Sequence, residues 1–511
     1  MSVDLLGDAE ARRIDATAKL DPKTQQKLGQ FFTPSRASTL IAALPRLPRT
    51  GKFRILDPGA GSGSLSAAIL ARILAESPQL DVELVGVEMD SEVVPYLRRT
   101  FEDCAEVASS YGTKFEATIV EGDFVHLSTG LFDAHRALVE PFDLVIMNPP
   151  YLKLGSKSAH RLAVSAIGAD CPNLYAAFLA LGVEALRDGG QLTAITPRSF
   201  ANGPYFAQFR RFLLDRVALN RIHTFASRST VFADVLQETI VVSGTRGGAR
   251  ADVTIAVSSG GSDDVATERK VPYRDVVGAD DAQRFIRIMA DDSDQAVAEA
   301  MAAMPSALTD IGLGVSTGKV VDFRARDLLR SASSPSTVPL VYPGNVRSGV
   351  VEWPREIRKP QALDVSTPAL VANMLVPNGF YVLVKRFSAK EERRRIVAAV
   401  WNPADCACDT VAFENHLNVF HLSGAGMPRN VAVGLSYWLN SSIVDQFFRT
   451  FSGHTQVNAT DLRTLRFPPL GALESLGAQL DAKLPEQAKV DELVASVRPN
   501  MIGHLCHLNA C

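Results

Sequence analysis

The sequence contains no apolar run near the roughly 20 residues that a membrane-spanning helix requires. Its first residues, MSVDLLGDAEARRID, are acidic and lack the apolar core of a secretory signal peptide. The six cysteines are too scattered over 511 residues to form a disulfide framework. These absences predict a cytoplasmic protein with no membrane partner.

A pattern of metal ligands is also missing from the sequence. The nearest approach to one is the C-terminal group His504, Cys506, His507 and Cys511, which has no second ligand pair at zinc-finger spacing. We therefore expect no metal site.

The charge is nearly balanced over the whole chain, with a formal net charge of −3. Residues 311–470 differ from the rest, because they carry 18 Lys and Arg against 12 Asp and Glu, while the remainder is acidic. A positive segment in an acidic chain is expected of a module that faces DNA. Ordinary fluctuation of composition is the alternative.

The length and the 46% hydrophobic content predict two or three globular domains. Seven strand-like runs alternate with helical patterns: Phe53–Asp57, Val82–Glu88, Phe115–Phe124, Phe142–Met147, Gln191–Pro197, Arg221–Ala226 and Glu238–Thr245. This alternation predicts an α/β domain, a doubly wound parallel sheet with helices on both faces. We expect it to occupy residues 1–250, with a helical segment at 1–27. Residues 251–310 form a connector carrying a strand and an Ala/Met-rich helix, and residues 311–511 form a second, mixed α+β domain.

A glycine-rich turn, PGAGSG at 58–63, follows the first predicted strand and its last residue, Asp57. Gly59 and Gly61 would let the backbone approach a ligand closely and adopt positive φ. No Lys-Ser or Lys-Thr pair follows, so the turn is not a phosphate-binding P-loop. A nucleoside without phosphates fits this pattern.

Acidic and aromatic residues end the next two strands. Glu88 can accept both hydroxyls of a ribose, with Asp90 as the alternative for that role. Asp123 can accept from an adenine amino group, and Phe124 can stack on the adenine ring. Each residue alone could be an ordinary turn or core residue. At three successive strand ends, they predict a site for S-adenosylmethionine.

The fourth strand ends in Asn148-Pro149-Pro150-Tyr151. An exocyclic amine conjugated with its ring is a poor nucleophile, and the Asn148 amide oxygen and the Pro149 carbonyl can accept its two N–H bonds. Tyr151 offers a face on which a planar base can stack. The motif resembles the [DNS]-P-P-[YFW] hallmark of amino-methyltransferases. The alternative is a proline turn with a surface tyrosine.

The resemblance extends over residues 28 to 245. The segment LGQFFTP at 28–34 precedes the glycine turn, as in DNA adenine methyltransferases of the γ class, and Phe31 and Thr33 would close over the methionine part of the cofactor. Phe178, in NLYAAF at 173–178, would cover its adenine. Phe232 resembles the second aromatic residue near the flipped base.

This resemblance to type II restriction–modification DNA adenine-N6 methyltransferases implies a Rossmann-like seven-stranded methyltransferase sheet and S-adenosylmethionine as the cofactor. It implies double-stranded DNA as the partner and a chain that acts as a monomer on DNA. No Pro-Cys dipeptide of a carbon-methylating enzyme is present, and asparagine at position 148 favours adenine N6 over cytosine N4. We find no convincing Asp…Glu-x-Lys nuclease constellation, so a cognate restriction endonuclease would be a separate chain.

The second domain is the candidate for target recognition. Residues 313–324 and 453–462 resemble segments of type II modification methylases of the PstI/BsuBI type. The residues expected to neutralise phosphates are Lys385, Arg386, Arg393, Arg394 and Arg395. Those suited to reading base edges are His454, Gln456 and Asn458. The alternatives are a solvated helix face for Arg393–Arg395, beside Glu391 and Glu392, and a helix cap for Asn458, before Asp461.

Two other functions remain open at this point. The same motif occurs in RNA guanine-N2 and protein glutamine-N5 methyltransferases, although the early FFTP segment and the long C-terminal half argue against both. A DNA-binding defence subunit without turnover is the second, and the intact Asn148–Tyr151 motif argues against it.

Overall fold

The structure is a computed structural model that describes residues 4–21, 23, 25, 29–30, 32–129, 136–225, 238–258, 266–278, 281–388, 392–452 and 455–497. The chain divides into two compact units, Met1–Ala290 and Asp291–Cys511. The predicted connector at 251–310 is therefore shared between both units. In the described part of the chain, no helix has the length and apolar character needed to cross a membrane.

A nine-stranded sheet is the framework of the first unit, as far as its residues are described. Its strands are β1 (Gly51–Pro58), β2 (Leu80–Glu88), β3 (Phe115–Glu121), β4 (Phe142–Met147), β5 (Leu186–Pro197), β6 (Val217–Phe225), β7 (Thr239–Arg246), β8 (Val253–Ser258) and β9 (Thr267–Val271). The spatial order is β3-β2-β1-β4-β5-β7-β6-β8-β9. Strands β1 to β5 pair in parallel, and β7 runs antiparallel between β5 and β6. A strand is found at each of the seven predicted positions. The third ends at Glu121, three residues earlier than predicted, and the predicted last residue of the sixth, Ala226, lies outside the described residues.

The predicted size of the sheet, seven strands, is wrong. β8 pairs in parallel with β6, and β9 pairs antiparallel with β8. Without them β6 would be an edge strand with a row of unpaired backbone groups. Val253–Ser258 and Thr267–Val271, both from the predicted connector, therefore extend the sheet.

The helices of the first unit cover both faces of its sheet. They are α1 (Leu5–Lys19), α2 (Ser35–Ala42), α3 (Ser64–Glu76), α4 (Val94–Ser110), α5 (Phe124–Ser128), α6 (Ala159–Ser165), α7 (Leu174–Ala185), α8 (Ala207–Arg216) and α9 (Tyr273–Val276). Short 3-10 turns lie at Arg136–Leu138, Arg198–Ala201 and Pro204–Phe206. Leu144 and Ile146 of β4 share a core with α2, α3 and α4. Val145 and Met147, which point the other way, face Gly182 of α7.

The second unit contains two sheets. Its strands are β10 (Leu313–Thr317), β11 (Leu329–Arg330), β12 (Thr337–Val341), β13 (Val346–Arg347), β14 (Gly349–Val351), β15 (Ala362–Asp364), β16 (Leu375–Pro377), β17 (Tyr381–Lys385), β18 (Ala398–Trp401), β19 (Thr410–Phe413) and β20 (Leu417–Leu422). One sheet has the order β10-β20-β17-β18-β14-β13, and the other has the order β11-β15-β12-β19-β16. Their shared core includes Tyr381, Trp401 and Phe413.

The helices of this unit are α10 (Asp292–Ala302), α11 (Pro368–Val371), α12 (Arg429–Leu439), α13 (Ser442–Phe451), α14 (Ala459–Arg463), α15 (Leu470–Ala478) and α16 (Gln487–Ala495). Short 3-10 turns lie at Arg326–Leu328, Pro343–Asn345 and Pro403–Asp405. Cys406 and Cys408 form a disulfide bond. The fold is thus mixed α/β, with a mostly parallel nine-stranded sheet and additional sheets.

Candidate cofactor and catalytic site

A cavity opens at the carboxyl ends of β1 to β4 in the first unit. It is lined by eight of the residues singled out from sequence: Thr33, Gly59, Gly61, Glu88, Asp123, Phe124, Asn148 and Phe178. These residues come from segments far apart in the chain. Parallel strands bring them together, because their carboxyl ends meet at one edge of the sheet.

The glycine turn forms one wall of this cavity. Gly59 and Gly61 have φ of +74° and +57°, a conformation that side chains other than glycine rarely adopt. A Cβ atom at Gly61 would lie 3.0 Å from the ring of Phe32, and one at Gly59 would lie 3.4 Å from the ring of Phe178. Phe32, which also lines the cavity, was not among the predicted site residues. Its signal in the sequence is the Phe-Phe pair at 31–32.

Glu88 ends β2 and is 6% exposed. Its Oε2 accepts from the Gly61 amide at 2.9 Å and its Oε1 from the Asp90 amide at 2.8 Å, so the carboxylate is fixed against the glycine turn. Burial raises the pKa of Glu88. Asp90, the alternative ribose acceptor, instead accepts from the Gln30 side chain at 3.1 Å.

Asp57 lies behind the glycine turn, fully buried. Its Oδ2 accepts from the Ser66 hydroxyl at 2.7 Å, and its Oδ1 meets no hydrogen-bond donor among the described residues. Burial, with a smaller contribution from the charge of Glu88, raises the pKa of Asp57 to about 7. Asp57 does not line the cavity, and its hydrogen bond to Ser66 joins the end of β1 to the first turn of α3.

Asp123 and two phenylalanines form the opposite wall. The Oδ1 of Asp123 accepts from the backbone amides of Val125 and His126, at 2.8 and 3.3 Å, and so caps α5. Its Oδ2 lies 2.7 Å from Nε2 of His160 on α6. The rings of Phe124 and Phe178 have centroids 5.1 Å apart. This wall is suited to a flat aromatic ligand with a donor at its edge.

Asn148, at the end of β4, is held from two sides. Its Nδ2 donates to the Thr33 hydroxyl at 3.0 Å, and its Oδ1 accepts from the Tyr151 hydroxyl at 3.1 Å. Pro149 is buried next to it. The orientation of the amide is thereby fixed at the cavity, with its oxygen on the Tyr151 side.

Tyr151 is anchored through its hydroxyl and its backbone. The hydroxyl also contacts the Ile195 carbonyl at 3.3 Å, and the backbone amide donates to the Gly29 carbonyl at 3.1 Å. Its ring meets the Tyr175 ring edge-on, with centroids 6.1 Å apart. Burial of the phenol raises the pKa of Tyr151. The hydroxyl therefore acts here as a neutral hydrogen-bonding group.

Three residues of the predicted sites lie outside the described residues. They are Phe31, Phe232 and His454.

The basic residues predicted to bind phosphates have different surroundings in the second unit. Arg393 is exposed, whereas Lys385 is half-buried and its pKa is lowered by that burial. Arg386 donates to the Asn415 carbonyl at 3.2 Å. Arg394 donates to the Gln487 side chain, and burial lowers its pKa.

The prediction is wrong for Arg395, which is 1% exposed. Its guanidinium donates to the hydroxyls of Ser388 and Ser452, at 3.1 and 3.2 Å, and stacks over Phe448. A buried arginine held in this way cannot reach a phosphate. The three consecutive arginines are also not on a helix, so the alternative of a solvated helix face is wrong as well.

The helix-cap alternative is confirmed for Asn458. The Asp461 carboxylate accepts from the Asn458 backbone amide at 3.0 Å, and the Asn458 side chain accepts in return from the Asp461 backbone amide, so the two residues form a capping box at the start of α14. Gln456 is half-buried and pairs with Phe387 in an isolated β-bridge.

The sequence is similar to those of known restriction–modification proteins. The Eco57I restriction-modification methylase family matches residues 102–232. The type II methyltransferase M.PstI of Providencia stuartii is 38% identical over 502 residues, which cover 97% of each chain. The type II methyltransferase M.BsuBI of Bacillus subtilis is 39% identical over 494 residues, or 94% of this chain and 96% of that one.

A solved structure supports the fold. The type IIL restriction-modification enzyme MmeI, in complex with DNA, superimposes with a TM-score of 0.57 over 96% of this chain and 76% of its own, at 12% identity. The likeness to M.PstI and M.BsuBI runs through both units of the chain. This protein belongs to the type II DNA methyltransferases of restriction–modification systems.

Proposed function

We propose that this chain transfers the methyl group of S-adenosylmethionine to N6 of an adenine flipped out of double-stranded DNA. The observation that carries the proposal is the Asn148 amide, fixed by Thr33 and Tyr151 at the wall of a cavity lined with Glu88 and Asp123. An amide held at both ends offers a preorganised acceptor to an amine.

The cavity fits the cofactor chemically. Glu88 would accept the ribose hydroxyls, Asp123 the adenine amino group, and the rings of Phe124 and Phe178 would enclose the adenine. Phe31 and Thr33 would cover the methionine part. S-adenosylmethionine, when bound, supplies an electrophilic methyl group on its sulfonium.

The residues of the catalytic motif act on the target amine. The Asn148 side-chain oxygen and the Pro149 carbonyl accept its two N–H bonds, which favours a tetrahedral nitrogen with an available lone pair. The Tyr151 ring stacks on the extruded base, with Phe232 as the second aromatic side chain. The Tyr151 hydroxyl meanwhile orients the Asn148 oxygen, 3.1 Å away.

The second unit is proposed to hold the DNA and read the target sequence, because residues 311–470 carry the excess of positive charge. Lys385, Arg386 and Arg393 remain its proposed phosphate contacts, and His454 and Gln456 its proposed base contacts. We further propose that the chain acts as a monomer on DNA, in the bacterial cytoplasm. Its methylation would protect host DNA from a separate cognate endonuclease.

Incubation of the purified chain with S-adenosylmethionine and unmethylated genomic DNA tests this function. Base-modification sequencing should find N6-methyladenine at one short recurring sequence, and no modification with Asn148→Ala. Methylation at cytosine N4 would overturn the adenine assignment. An unmodified genome, or transfer to RNA or protein instead, would overturn the proposal as a whole.

A further inference from the structure

Four loops of the second unit meet at one surface. They comprise residues 318–324, 386–388, 414–416 and 455–456, and together they are called the four-loop surface. Backbone hydrogen bonds join them: Asn415 N to Val320 O, Arg386 N to His416 O, and Ser388 N to Thr455 O. Two of the loops lie in the segments that resemble modification methylases, at 313–324 and 453–462, although these segments are more than 100 residues apart in the sequence.

Aromatic and cationic side chains are exposed on the four-loop surface. The side chain of His416 is 47% exposed, and Phe387 is exposed to the same extent. Their ring centroids are 5.2 Å apart. The guanidinium of Arg386 lies against the same loop, since it donates to the Asn415 carbonyl at 3.2 Å. Planar donors, acceptors and rings beside a cation are the groups that contact bases and phosphates.

A buried carboxylate fixes the His416 ring. Glu414 is 1% exposed, and its Oε1 lies 2.6 Å from Nδ1 of His416. Its Oε2 accepts from the backbone amide of His416 at 2.9 Å. Burying a carboxylate is costly unless it is hydrogen-bonded, so this contact is not an incidental surface pair. Lys359 neutralises the other nearby carboxylate, that of Asp322, at 2.6 Å.

The contact decides which nitrogen of the ring faces outward. An ionised carboxylate only accepts hydrogen bonds, so Nδ1 carries the proton that it shares with Glu414. Nε2, across the ring, meets no hydrogen-bonding group among the described residues. His416 therefore presents one polar atom in a fixed direction from an exposed position.

We infer that His416 determines sequence specificity by reading one base pair of the target through Nε2, with Glu414 as its positioning residue. This inference rests on the proposed function, because it takes the DNA duplex as the ligand. A rigid ring with a single outward nitrogen matches one base edge in the major groove, where the four base pairs differ. A phosphate contact would carry no sequence information.

Selection of bound sequences from a random duplex library tests the inference without requiring methyl transfer. The full-length wild type defines the preferred sequence. His416→Ala and His416→Gln should lose preference at one base pair and keep it at the others. Affinity for the preferred duplex should fall by about 10- to 100-fold, while affinity for random DNA changes little.

Glu414→Gln should weaken preference at the same base pair, since the ring loses its fixed orientation. His421→Ala is the matched control, because His421 lies near the far end of β20, about 17 Å along the chain from His416. Its preferred sequence should equal that of the wild type. Melting temperatures identify variants that fail to fold, and the exposed His416 variants keep the test decisive if Glu414→Gln unfolds.

An unchanged preferred sequence in both His416 variants would overturn the inference, and so would a uniform loss at all base pairs. Failure of the proposed function would give a different result: the wild type would bind a defined sequence but would not methylate DNA. A wild type that enriches no sequence would overturn both.

Discussion

The side-chain amide of Asn148 joins Thr33, from the segment before the sheet, to Tyr151, three residues further along the catalytic motif. One hydroxyl accepts from its nitrogen and the other donates to its oxygen. The proposed acceptor of the target amine is therefore positioned by two hydroxyl groups that have no role of their own in the proposed methyl transfer. This arrangement allows the roles of acceptor, positioning group and stacking ring to be separated by substitution.

Asn148→Ala should abolish methyl transfer and leave binding of S-adenosylmethionine nearly intact. Removal of a preorganised hydrogen-bonding group from a transition state costs about two to three decades in rate. Single-turnover rates and equilibrium binding of the cofactor measure the two quantities separately. Turnover within about tenfold of wild type would contradict the assignment.

Thr33→Val should lower kcat by about fivefold, because the Asn148 amide loses one of its two anchors and one net hydrogen bond contributes about 1 kcal/mol. Thr33→Ser is the matched control: it keeps the hydroxyl and should remain close to wild type. Melting temperatures check the fold. Equal rates for the valine and serine variants would show that the Thr33 contact does not position Asn148.

Tyr151→Phe and Tyr151→Ala should have different effects on base extrusion. The phenylalanine variant keeps the ring, so fluorescence of 2-aminopurine at the target position should stay near the wild-type level while the methylation rate falls. The alanine variant also loses stacking, which contributes about 1–3 kcal/mol per base, so the fluorescence should decrease. If both variants gave wild-type fluorescence, the base would not stack on Tyr151.

Asp57→Asn should change how stability depends on pH. The pKa of Asp57 is raised to about 7 in the folded protein, against about 3.9 in an unfolded chain. Between these values the folded state holds a proton that the unfolded state has lost, so the Asp57 contribution to stability falls as pH rises. The variant should gain stability relative to wild type from about pH 4 to pH 7, and the difference should then level off. Denaturant unfolding of both proteins without cofactor, from about pH 4 to pH 7, measures their difference in free energy of unfolding. A difference that stays constant with pH would contradict the raised pKa of Asp57.

Arg393→Ala should change DNA binding, whereas Arg395→Ala should change the stability of the fold. Exposed Arg393 should change stability by less than about 0.5 kcal/mol, and loss of one phosphate contact should reduce the log–log salt slope of DNA binding by about one unit. Arg395→Ala should instead lower the free energy of unfolding by about 3 kcal/mol, because it removes the hydrogen bonds of the buried guanidinium to Ser388 and Ser452. If Arg395→Ala were as stable as wild type and had a reduced salt slope, Arg395 would contact a phosphate and its structural role would be contradicted.

Features encoded locally could be predicted from the sequence. The glycine turn, Glu88, Asp123 and Asn148 each follow a strand, and parallel strands bring such ends together without further information. The Asn458 cap also involves residues only three apart. In these cases the spacing alone determines the contact.

Features that depend on distant partners could not be predicted. Arg395 lies in a charged run, EERRR, that is typical of a solvated surface. Its buried guanidinium nevertheless donates to the hydroxyl of Ser452, which is 57 residues away in the sequence. The pairing of β8 with β6 could not be predicted, because the sequence of a strand does not specify which sheet it joins. Likewise, Glu414 and His416 are two residues apart, but only the fold shows that one is buried and the other exposed.

The bond between Thr33 and Asn148 spans 115 residues, and the cofactor cavity also needs Phe178 for its wall. A ribosome adds about 5–20 residues each second during synthesis. During the several seconds between the emergence of the first strand and that of α7, the glycines and acids are added one after another, but the cavity is not yet enclosed. Donor binding, and with it any modification of host DNA, must therefore wait until at least the first third of the chain has been made.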